Sequence, residues 1–247
     1  MLNIVIPMAG RGSRFQNEGY ILPKPLIPVK GTPMIKLVIE NLRPNTKHRF
    51  IFLCHQEHIN EYNIDQRLKE WAPGCHIVTV DKVTEGAACT VLLARELINN
   101  DNSLMIANSD QWVDVDINDY LAVMNKDNLD GLIMTMWADD PKWSFVRFDE
   151  HEGICEVVEK KVVSNEATVG IYNYRHGKDF VEAAENMIRK NLRVNNEFYV
   201  APAYNEMINN GKKLGYLNVG KEADGMYGLG IPSDLKLFES LEVSAGL

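Results

Sequence analysis

The stretch from Asn3 to Val29 constrains the fold of this chain more than any other part of the sequence. Its apolar run, Leu2 to Ile6, predicts a buried strand, and the run breaks into a loop with glycines at Gly10 and Gly12. Glycines let backbone N–H groups turn toward an anion, because no Cβ atom stands in the way. The stretch therefore predicts a strand followed by a loop that holds a phosphate chain.

Three basic side chains accompany this loop, namely Arg11, Arg14 and Lys24. Arginine can bind phosphate oxygens through two parallel hydrogen bonds, so these residues would supply the charge. Two familiar phosphate loops do not match. The dinucleotide fingerprint needs a third glycine, which is missing after Gly12, and no Gly-Lys-Ser/Thr of a P-loop follows. The alternative is an ordinary glycine turn beside a solvated arginine pair.

The stretch resembles the signature of the nucleotidylyltransferases that activate sugar phosphates. That signature reads apolar-Ala-Gly-x-Gly-Ser/Thr-Arg, a spacer, and Pro-Lys-x-Leu-x-Pro-Val. The matching residues are Ala9, Gly10, Gly12, Ser13, Arg14, Pro23, Lys24, Leu26, Pro28 and Val29. The resemblance implies that Arg14 and Lys24 are catalytic. It also implies that the nucleotide is bound by Met8, Ala9, Gly10, Arg11, Gly12, Ser13, Arg14 and Lys24.

Composition narrows the class of protein. The chain has 247 residues, with 26 basic against 34 acidic side chains and a net charge of −8, which argues against nucleic-acid and membrane-surface partners. Its four cysteines are widely spaced and predict unpaired packing residues of a cytoplasmic protein. We expect no membrane span. We also expect one domain, residues 1–247, in which residues 1–130 mainly bind the nucleotide and residues 131–247 mainly bind the acceptor.

Strand and helix patterns alternate along the chain, which predicts an α/β protein with a mostly parallel sheet. The family resemblance implies a Rossmann-like three-layer α/β/α fold with a mixed central sheet, of the nucleotide-diphospho-sugar transferase type. The predicted helices span residues 33–42, 59–71, 86–97, 178–189, 202–210 and 233–241. The predicted strands span residues 2–6, 49–53, 77–80, 102–107, 132–137, 144–148, 154–158, 168–174 and 214–219.

The strand over 102–107 ends in Asn108-Ser109-Asp110, and ligands gather at the carboxyl ends of strands in open α/β sheets. The resemblance implies that Asp110 holds Mg²⁺, a cation that prefers carboxylate oxygens, and that Asn108 contacts the nucleotide. An Asp in this position is also a common helix cap. Gly86 and Ala87 open a helix where relatives bind the nucleotide base, although these small residues also suit a helix start that only packs.

On the acceptor side, the resemblance rests on Glu159 and Lys160, which end the second strand of an antiparallel pair. It implies that Glu159 contacts the acceptor and that Lys160, a third catalytic residue, neutralises the acceptor phosphate. A solvated charged pair is the alternative. Further acceptor contacts are implied for Gly170, Glu197 and Tyr199.

The sequence departs from the family pattern near its end. Sugar-phosphate members often have Trp-x-Asp-x-Gly-Thr-Pro, whose Asp is the second metal ligand, but here Gly228 stands in its place. Either another carboxylate such as Asp224 completes the site, or Asp110 and phosphate oxygens hold the metal alone. Asp224 also suits a surface turn.

The implied reaction transfers a nucleoside monophosphate to a phosphorylated small molecule and releases pyrophosphate. A resemblance to small cytidylyltransferases of surface-polysaccharide clusters favours CTP and phosphoglutamine, or a similar non-sugar phosphate, in capsule modification. The alternatives are a sugar 1-phosphate with UTP, dTTP or CTP, and a silent nucleotide-binding module, and a homo-oligomer stays open. A Rossmann oxidoreductase is disfavoured, because Cys54-His55-Gln56 stands where an acidic residue is needed.

Overall fold

The apolar run at the N-terminus forms an interior strand of the main sheet in the computed structural model, which describes residues 1–10 and 12–246. This strand, β1 (Leu2–Pro7), lies between β4 (His48–His55) and β6 (Ser103–Ala107) and is parallel to both. Ile4 packs into one core cluster and its neighbour Val5 into another, because successive side chains of a strand point to opposite faces. Both faces of the sheet are therefore covered, which explains why its strands are almost continuously apolar.

The main sheet is mixed. Two short strands, β2 (Pro28–Val29) and β3 (Thr32–Pro33), pair with each other outside it. The remaining strands are β5 (His76–Val80), β7 (Gln111–Val113), β8 (Gly131–Trp137), β9 (Ser144–Phe148), β10 (Ile154–Glu159), β11 (Glu166–Tyr174), β12 (Leu214–Glu222) and β13 (Gly225–Gly228). The strand order of the main sheet is β5-β4-β1-β6-β11-β8-β12-β13-β7, and β11 runs antiparallel to both of its neighbours. The antiparallel hairpin β9–β10 joins the sheet through a pairing of β9 with β11.

Helices connect and cover these strands. They are α1 (Ser13–Asn17), α2 (Met34–Asn41), α3 (Gln56–Tyr62), α4 (Ile64–Trp71), α5 (Ala87–Leu92), α6 (Arg95–Ile98), α7 (Ile117–Lys126), α8 (Gly177–Arg189), α9 (Ala203–Asn209) and α10 (Pro232–Ser240). Short 3₁₀ helices cover Lys24–Leu26 and Glu242–Gly246. The mixed, helix-covered sheet confirms the predicted fold class.

Several predicted elements have different limits. The helix expected over 59–71 is two helices, α3 and α4, because Asn63 adopts a left-handed conformation with φ of 51° between them. Asparagine tolerates this conformation better than most residues, so it can end one helix and precede the next. The helix expected over 86–97 is likewise divided into α5 and α6. Two helices, the five-residue α1 and the ten-residue α7, have no counterpart in the prediction, and neither do the short strands β2, β3, β7 and β13.

A third core cluster brings the two ends of the chain together. Phe15 of α1 is 1% exposed and lies in one cluster with Leu235 and Phe238 of α10. Burying large apolar side chains of this kind contributes about 1.5–3 kcal/mol each. The helix that follows the glycine-rich loop is therefore held against the last helix of the sheet domain.

The cysteines are free thiols, as the sequence predicts. Cys54 is buried in β4, and its burial raises the pKa of the thiol to about 12, so it stays protonated and unreactive at neutral pH. No helix in the described part of the chain is both long and apolar enough to cross a membrane.

Candidate active site

Three adjoining cavities lie where β1 and β6 end. The first, here called the basic cavity, has a volume of about 650 Å³ and is bordered by four basic side chains and two carboxylates. Its lining comprises Gly12, Ser13, Arg14, Lys24, Asn108, Asp110, Gln111, Lys142, Trp143, Lys160, Met226, Gly228, Gly230, Ile231 and Asp234. This concentration of positive charge contrasts with the net charge of −8 of the whole chain, and it suits an anionic ligand.

The second, here called the glycine-rich cavity, has a volume of about 690 Å³ and shares Lys24, Asn108 and Asp110 with the basic cavity. Its lining comprises Pro7, Ala9, Gly10, Lys24, Val80, Lys82, Val83, Thr84, Gly86, Ala87, Thr90, Asn108, Ser109, Asp110 and Glu197. A Cβ atom on Gly10 would meet nothing within 4 Å, so the absence of a side chain leaves this cavity open beside the loop.

The third, here called the aromatic cavity, is smaller, with a volume of about 280 Å³. Its lining comprises Ala87, Asn108, Lys142, Trp143, Ser144, Glu159, Thr168, Val169, Gly170, Tyr172, Tyr199, Val200 and Ala201. Asn108 borders all three cavities, which makes it the point where they meet.

Lys24 and Asp110 form the ion pair at the centre of the basic cavity, with Nζ and Oδ2 2.7 Å apart. Lys24 follows a loop in which Gly12 takes a left-handed conformation with φ of 62°, and a Cβ atom there would lie 3.1 Å from the Lys24 Cβ. The loop can pack this closely on Lys24 because Gly12 has no side chain. The two charged side chains are only 21% and 24% exposed, so solvent screens their interaction incompletely.

The third core cluster positions Arg14 and Asp234 at the edge of the basic cavity. Arg14 precedes the buried Phe15, and Asp234 precedes the buried Leu235, so each charged residue adjoins an apolar anchor of that cluster. Burial is the main cause that raises the pKa of the Asp234 carboxyl, and Glu222 adds to it. Arg14 acts in the opposite direction, as expected for a cation close to the carboxylate.

Gly170 lies at a bulge in β11, where the register with β8 shifts between Thr168 and Tyr172. Its φ is +81°, and a Cβ atom would lie 2.1 Å from the Asn108 side-chain nitrogen, so only glycine fits beside Asn108. The Asn108 backbone N–H donates to the Gly170 carbonyl at 3.1 Å, and its side chain donates to Gln111 at 3.2 Å. The bulge therefore fixes Asn108 where the cavities meet.

Gly86 has a similar role at the start of α5. With φ of +132°, its missing Cβ leaves room for the main chain of Phe198, whose carbonyl oxygen would lie 2.4 Å from such an atom. Phe198 N–H donates to the Glu85 carbonyl at 2.8 Å, and Ala88 N–H donates to the Phe198 carbonyl at 3.0 Å. These bonds attach the segment that carries Glu197 and Tyr199 to the start of the helix.

Glu159 is the last residue of β10 and borders the aromatic cavity, and Lys160 follows it and borders the basic cavity. Ser144 lies opposite Glu159 in the β9–β10 register, and its hydroxyl donates to the Glu159 carboxylate. Burial raises the pKa of Glu159 above its ordinary value of 4.5. Lys160 adopts φ of 56°, a conformation that is uncommon outside glycine, and its ammonium donates to the Tyr199 hydroxyl at 2.7 Å. This bond raises the pKa of Lys160, which stays protonated at neutral pH.

Most of the residues implied by the family resemblance border the three cavities. Ser13, Arg14 and Lys160 line the basic cavity, Ala9, Gly10, Gly86, Ala87 and Glu197 line the glycine-rich cavity, and Glu159, Gly170 and Tyr199 line the aromatic cavity. Arg11 lies outside the described residues. Met8 is buried in the core and lies outside the linings of these three cavities. Asp224 is in an exposed turn, pairs with Lys221 at 3.6 Å and also lies outside the linings.

Sequence reasoning did not single out Asp234, Lys142, Trp143 or Ser144, which also border the cavities. Lys142 Nζ lies 4.8 Å from the centre of the Trp143 ring and pairs with the Glu222 carboxylate at 3.0 Å. The sequence signal that bears on Asp234 is Gly228, because its missing side chain leaves the space beside the Asp234 carboxylate open. A Cβ atom on Gly228 would lie 3.1 Å from the Asp234 carboxylate.

The carboxylates of the basic cavity suit a magnesium ion that is bound together with phosphates. Mg²⁺ is usually held by one or two carboxylates and substrate phosphate oxygens, whereas a closed protein site would need more ligands. In the described part of the chain, no three His, Cys, Asp or Glu side chains are arranged to hold a metal ion. Asp110 faces Gly230, where a Cβ atom would lie 2.5 Å from Oδ2, so no side chain at that position competes for the carboxylate.

The chain belongs to the nucleotidyl transferase family, whose pattern it matches over residues 4–219. This confirms the family and the enzyme class that the signature predicts. The chain is 24% identical over 180 residues to the Bifunctional protein GlmU of Methanococcus aeolicus. The matched region covers 71% of this chain and 40% of that protein. It therefore spans less than half the length of the curated relatives that it matches, 40% and 49% of two GlmU proteins.

Solved structures show the same fold. The nucleoside-diphosphate-sugar pyrophosphorylase of Vibrio cholerae RC9 superposes with a TM-score of 0.83 at 23% identity, covering 96% of this chain and 100% of that one. The inositol-1-phosphate CTP transferase of T. maritima superposes with a TM-score of 0.71 at 13% identity, covering 95% of this chain and 94% of that one. At these identities the likeness establishes the architecture.

Proposed function

We propose that this protein transfers a nucleoside monophosphate from a nucleoside triphosphate to a phosphorylated small molecule and releases pyrophosphate. The observation that carries this proposal is the basic cavity, in which Arg14, Lys24, Lys142 and Lys160 surround Asp110 and Asp234. Two further cavities open from it and share Asn108. Such an arrangement can hold two anionic substrates with their phosphates side by side, which is what a nucleotidyl transfer requires.

We assign the glycine-rich cavity to the nucleoside and the aromatic cavity to the body of the acceptor. Support for the first assignment comes from Gly10, where a Cβ atom would meet nothing within 4 Å, and from Gly86 and Ala87, which line the same cavity. Support for the second comes from Glu159 and Tyr199, whose polar atoms border a small cavity suited to a compact acceptor. Residues 1–130 then mainly bind nucleotide and residues 131–247 mainly bind the acceptor.

The reaction needs charge neutralisation more than covalent help. An oxygen of the acceptor phosphate attacks the α-phosphorus, a new P–O bond forms, and the bond between the α-phosphorus and the bridging oxygen breaks as pyrophosphate leaves. Arg14 stabilises the leaving pyrophosphate, Lys24 lies between the α-phosphate and the acceptor, and Lys160 neutralises the attacking phosphate. No general base is required, because the acceptor phosphate is already ionised at neutral pH.

We further propose that Asp110 holds Mg²⁺ and that Asp234, rather than Asp224, is the second carboxylate near the ion. Asp234 borders the basic cavity and lies beside Gly228, the position where the family often has its second metal ligand. Asp224 instead pairs with Lys221 in an exposed turn. The bound ion would supply positive charge to the phosphates of the substrates.

CTP and phosphoglutamine, or a similar non-sugar phosphate of capsule synthesis, are our first choice of substrates, and we place the reaction in the cytoplasm. This choice rests on the resemblance to small cytidylyltransferases, and the name of the T. maritima neighbour shows that the fold also occurs in a CTP-using enzyme. A sugar 1-phosphate is the second candidate, favoured by the names of the Vibrio cholerae pyrophosphorylase and other neighbours.

A substrate panel tests the proposal. Pyrophosphate release is measured with Mg²⁺ for CTP, UTP and dTTP, each combined with phosphoglutamine, phosphocholine, inositol 1-phosphate and glucose 1-phosphate. We expect rapid release with one base and one acceptor class. Calorimetric binding of the same triphosphates accompanies the assay, because a silent nucleotide-binding module would bind nucleotide and release no pyrophosphate with any acceptor.

A further inference from the structure

We propose that Lys142 is a second binding residue for the acceptor phosphate, and that it leaves its ion pair with Glu222 when the acceptor enters. This inference rests on the proposed function. Lys142 borders both the basic cavity and the aromatic cavity, as do Trp143 and Asn108. Of these three residues Lys142 alone carries a positive charge. It can therefore bind the phosphate of an acceptor whose body lies in the aromatic cavity and whose phosphate lies in the basic cavity.

Lys142 and Lys160 are brought together by the hairpin that carries them. Lys160 N–H donates to the Trp143 carbonyl at 3.0 Å, which ties the end of β10 to the start of β9. Each ammonium group also lies over an aromatic ring, Lys142 at 4.8 Å from the Trp143 ring centre and Lys160 at 4.9 Å from that of Tyr199. Cation–π contacts of this kind favour conformations in which both ammonium groups stay at the mouth of the cavities.

The ion pair between Lys142 and Glu222 is suited to exchange. Lys142 Nζ lies 3.0 Å and 3.1 Å from the two Glu222 carboxylate oxygens. The two side chains are 48% and 42% exposed, and ion pairs as exposed as this contribute little net stability. A phosphate group can therefore replace the Glu222 carboxylate at a small cost. Glu222 also holds Lys142 near the cavity when no acceptor is bound.

Two lysines match the charge of a phosphate monoester, which carries about −1.5 to −2 at neutral pH. Lys160 alone would leave much of this charge uncompensated while the phosphate approaches a triphosphate that is also anionic. Lys142 supplies the second positive charge on the acceptor side. The pair thus selects acceptors that end in a phosphate monoester over those that carry a singly charged phosphodiester.

The test compares Lys142→Gln, Lys142→Arg and Glu222→Gln with a control, Lys221→Gln. Lys221 is an exposed lysine of β12 next to Glu222 that lies outside all three cavity linings. KM is measured separately for the acceptor and for the triphosphate of the best panel pair. We expect Lys142→Gln to raise the acceptor KM by about 10–100-fold, as for the loss of a charge-assisted hydrogen bond. The triphosphate KM should change by less than about twofold.

The other variants test whether the effect depends on the charge at position 142 and on its ion pair with Glu222. Lys142→Arg should restore most of the acceptor affinity, because it keeps the charge. Glu222→Gln should lower the acceptor KM by about two- to fivefold, since it removes the closer competing carboxylate and leaves Lys142 only the longer pair with Asp140 at 4.0 Å. In the double variant Lys142→Gln/Glu222→Gln this gain should disappear. Lys221→Gln should match the wild type in both KM values.

An unchanged acceptor KM in Lys142→Gln would overturn the inference, as would equal rises of both KM values. If the wild type releases no pyrophosphate with any pair, the proposed function fails, and the inference is then decided by calorimetric titration of inorganic phosphate. Weaker phosphate binding by Lys142→Gln than by Lys221→Gln would uphold a phosphate site at Lys142. Equal binding by the two variants would overturn it.

Discussion

The two sides of the basic cavity are held in different ways. On the loop side, Lys24 and Asp110 form an ion pair whose side chains are 21% and 24% exposed, and the loop packs closely on Lys24 at Gly12. On the hairpin side, Lys142 pairs with Glu222 at about twice that exposure. Less exposed charges interact more strongly and move less. The loop side is therefore preorganised, and the hairpin side can exchange its partners.

This difference suits a division of labour. The phosphates of the triphosphate and the reacting centre are common to every round of the proposed reaction, so a fixed arrangement lowers the reorganisation needed in the transition state. The acceptor must enter and leave, and a site whose lysines already have weak, replaceable partners allows this. Variants on the loop side should thus act on turnover, whereas variants on the hairpin side should act on acceptor affinity.

The largest effect is expected for Arg14→Ala and Lys24→Ala. Each removes a cation that acts on developing charge, so kcat/KM should fall by about 10²–10³-fold or more while the melting temperature stays close to that of the wild type. Lys36→Ala is the control, because Lys36 lies on α2 and pairs with Glu40 away from the cavities. A near-normal rate in either loop-side variant would remove the distinction between the two sides.

Three Asp→Asn variants test the metal assignment in the order Asp110, Asp234, Asp224. The half-saturating Mg²⁺ concentration should rise by about 100-fold or more for Asp110→Asn, by about tenfold for Asp234→Asn, and not at all for Asp224→Asn. Binding of Mn²⁺, followed by electron paramagnetic resonance with CTP present, gives a readout that is independent of turnover. A larger effect at Asp224 than at Asp234 would assign the second carboxylate to the exposed turn.

Two glycine variants separate packing from ligand contact. Gly170→Ala forces an unfavourable φ and a clash with Asn108, so the free energy of unfolding should fall by about 1–3 kcal/mol. Gly10→Ala meets no protein atom, so stability should change by less than about 0.5 kcal/mol. Its methyl group enters the glycine-rich cavity, however, and the triphosphate KM should rise by about tenfold or more. Urea unfolding and steady-state kinetics measure the two effects, and a reversed pattern would exchange the two roles.

The smallest effect is a change in the pH profile on the hairpin side. Since burial raises the pKa of Glu159, this carboxylate becomes protonated at a higher pH than an ordinary Glu, and acceptor binding should weaken as the pH falls through that range. The acceptor phosphate titrates near pH 6 in every variant. Below both pKa values, log kcat/KM should therefore rise with a slope of about two in the wild type and about one in Glu159→Gln. Identical slopes would show that Glu159 does not titrate in the reaction.

The sequence predicts the loop side well because its determinants are local. A strand, two glycines and the Pro-Lys-x-Leu segment lie within 27 consecutive residues, and the strand end that delivers Asp110 follows from the apolar pattern alone. The fold class follows from the same patterns and from the family. The limits of the helices are harder to predict, because a single left-handed residue such as Asn63 divides one periodic pattern into two helices.

The hairpin side depends on contacts that are distant in sequence. Lys142 and Lys160 border the same cavity only because Ser144 and Glu159 are paired in the β9–β10 register, and nothing in the local pattern of Asp140-Pro141-Lys142 indicates a binding residue. Asp234 reaches the cavity because Leu235 packs into a cluster with Phe15, more than 200 positions away. The sequence shows that the carboxylate of the family pattern is absent at Gly228, but the carboxylate that we propose in its place, Asp234, lies at the cavity only through tertiary packing.

The contact between Gly86 and Phe198 has a consequence for how such a protein can diversify. The segment that carries Glu197 and Tyr199 is attached to α5 through main-chain atoms, at Glu85, Ala88 and Phe198. Side chains at 197 and 199 can thus be exchanged by mutation without disturbing that attachment. A lineage that acquires a new acceptor can change Tyr199, which borders the aromatic cavity, while Glu197 stays beside the glycine-rich cavity. An insertion or deletion between 197 and 199 would instead disturb the attachment that joins the acceptor side to the nucleotide side.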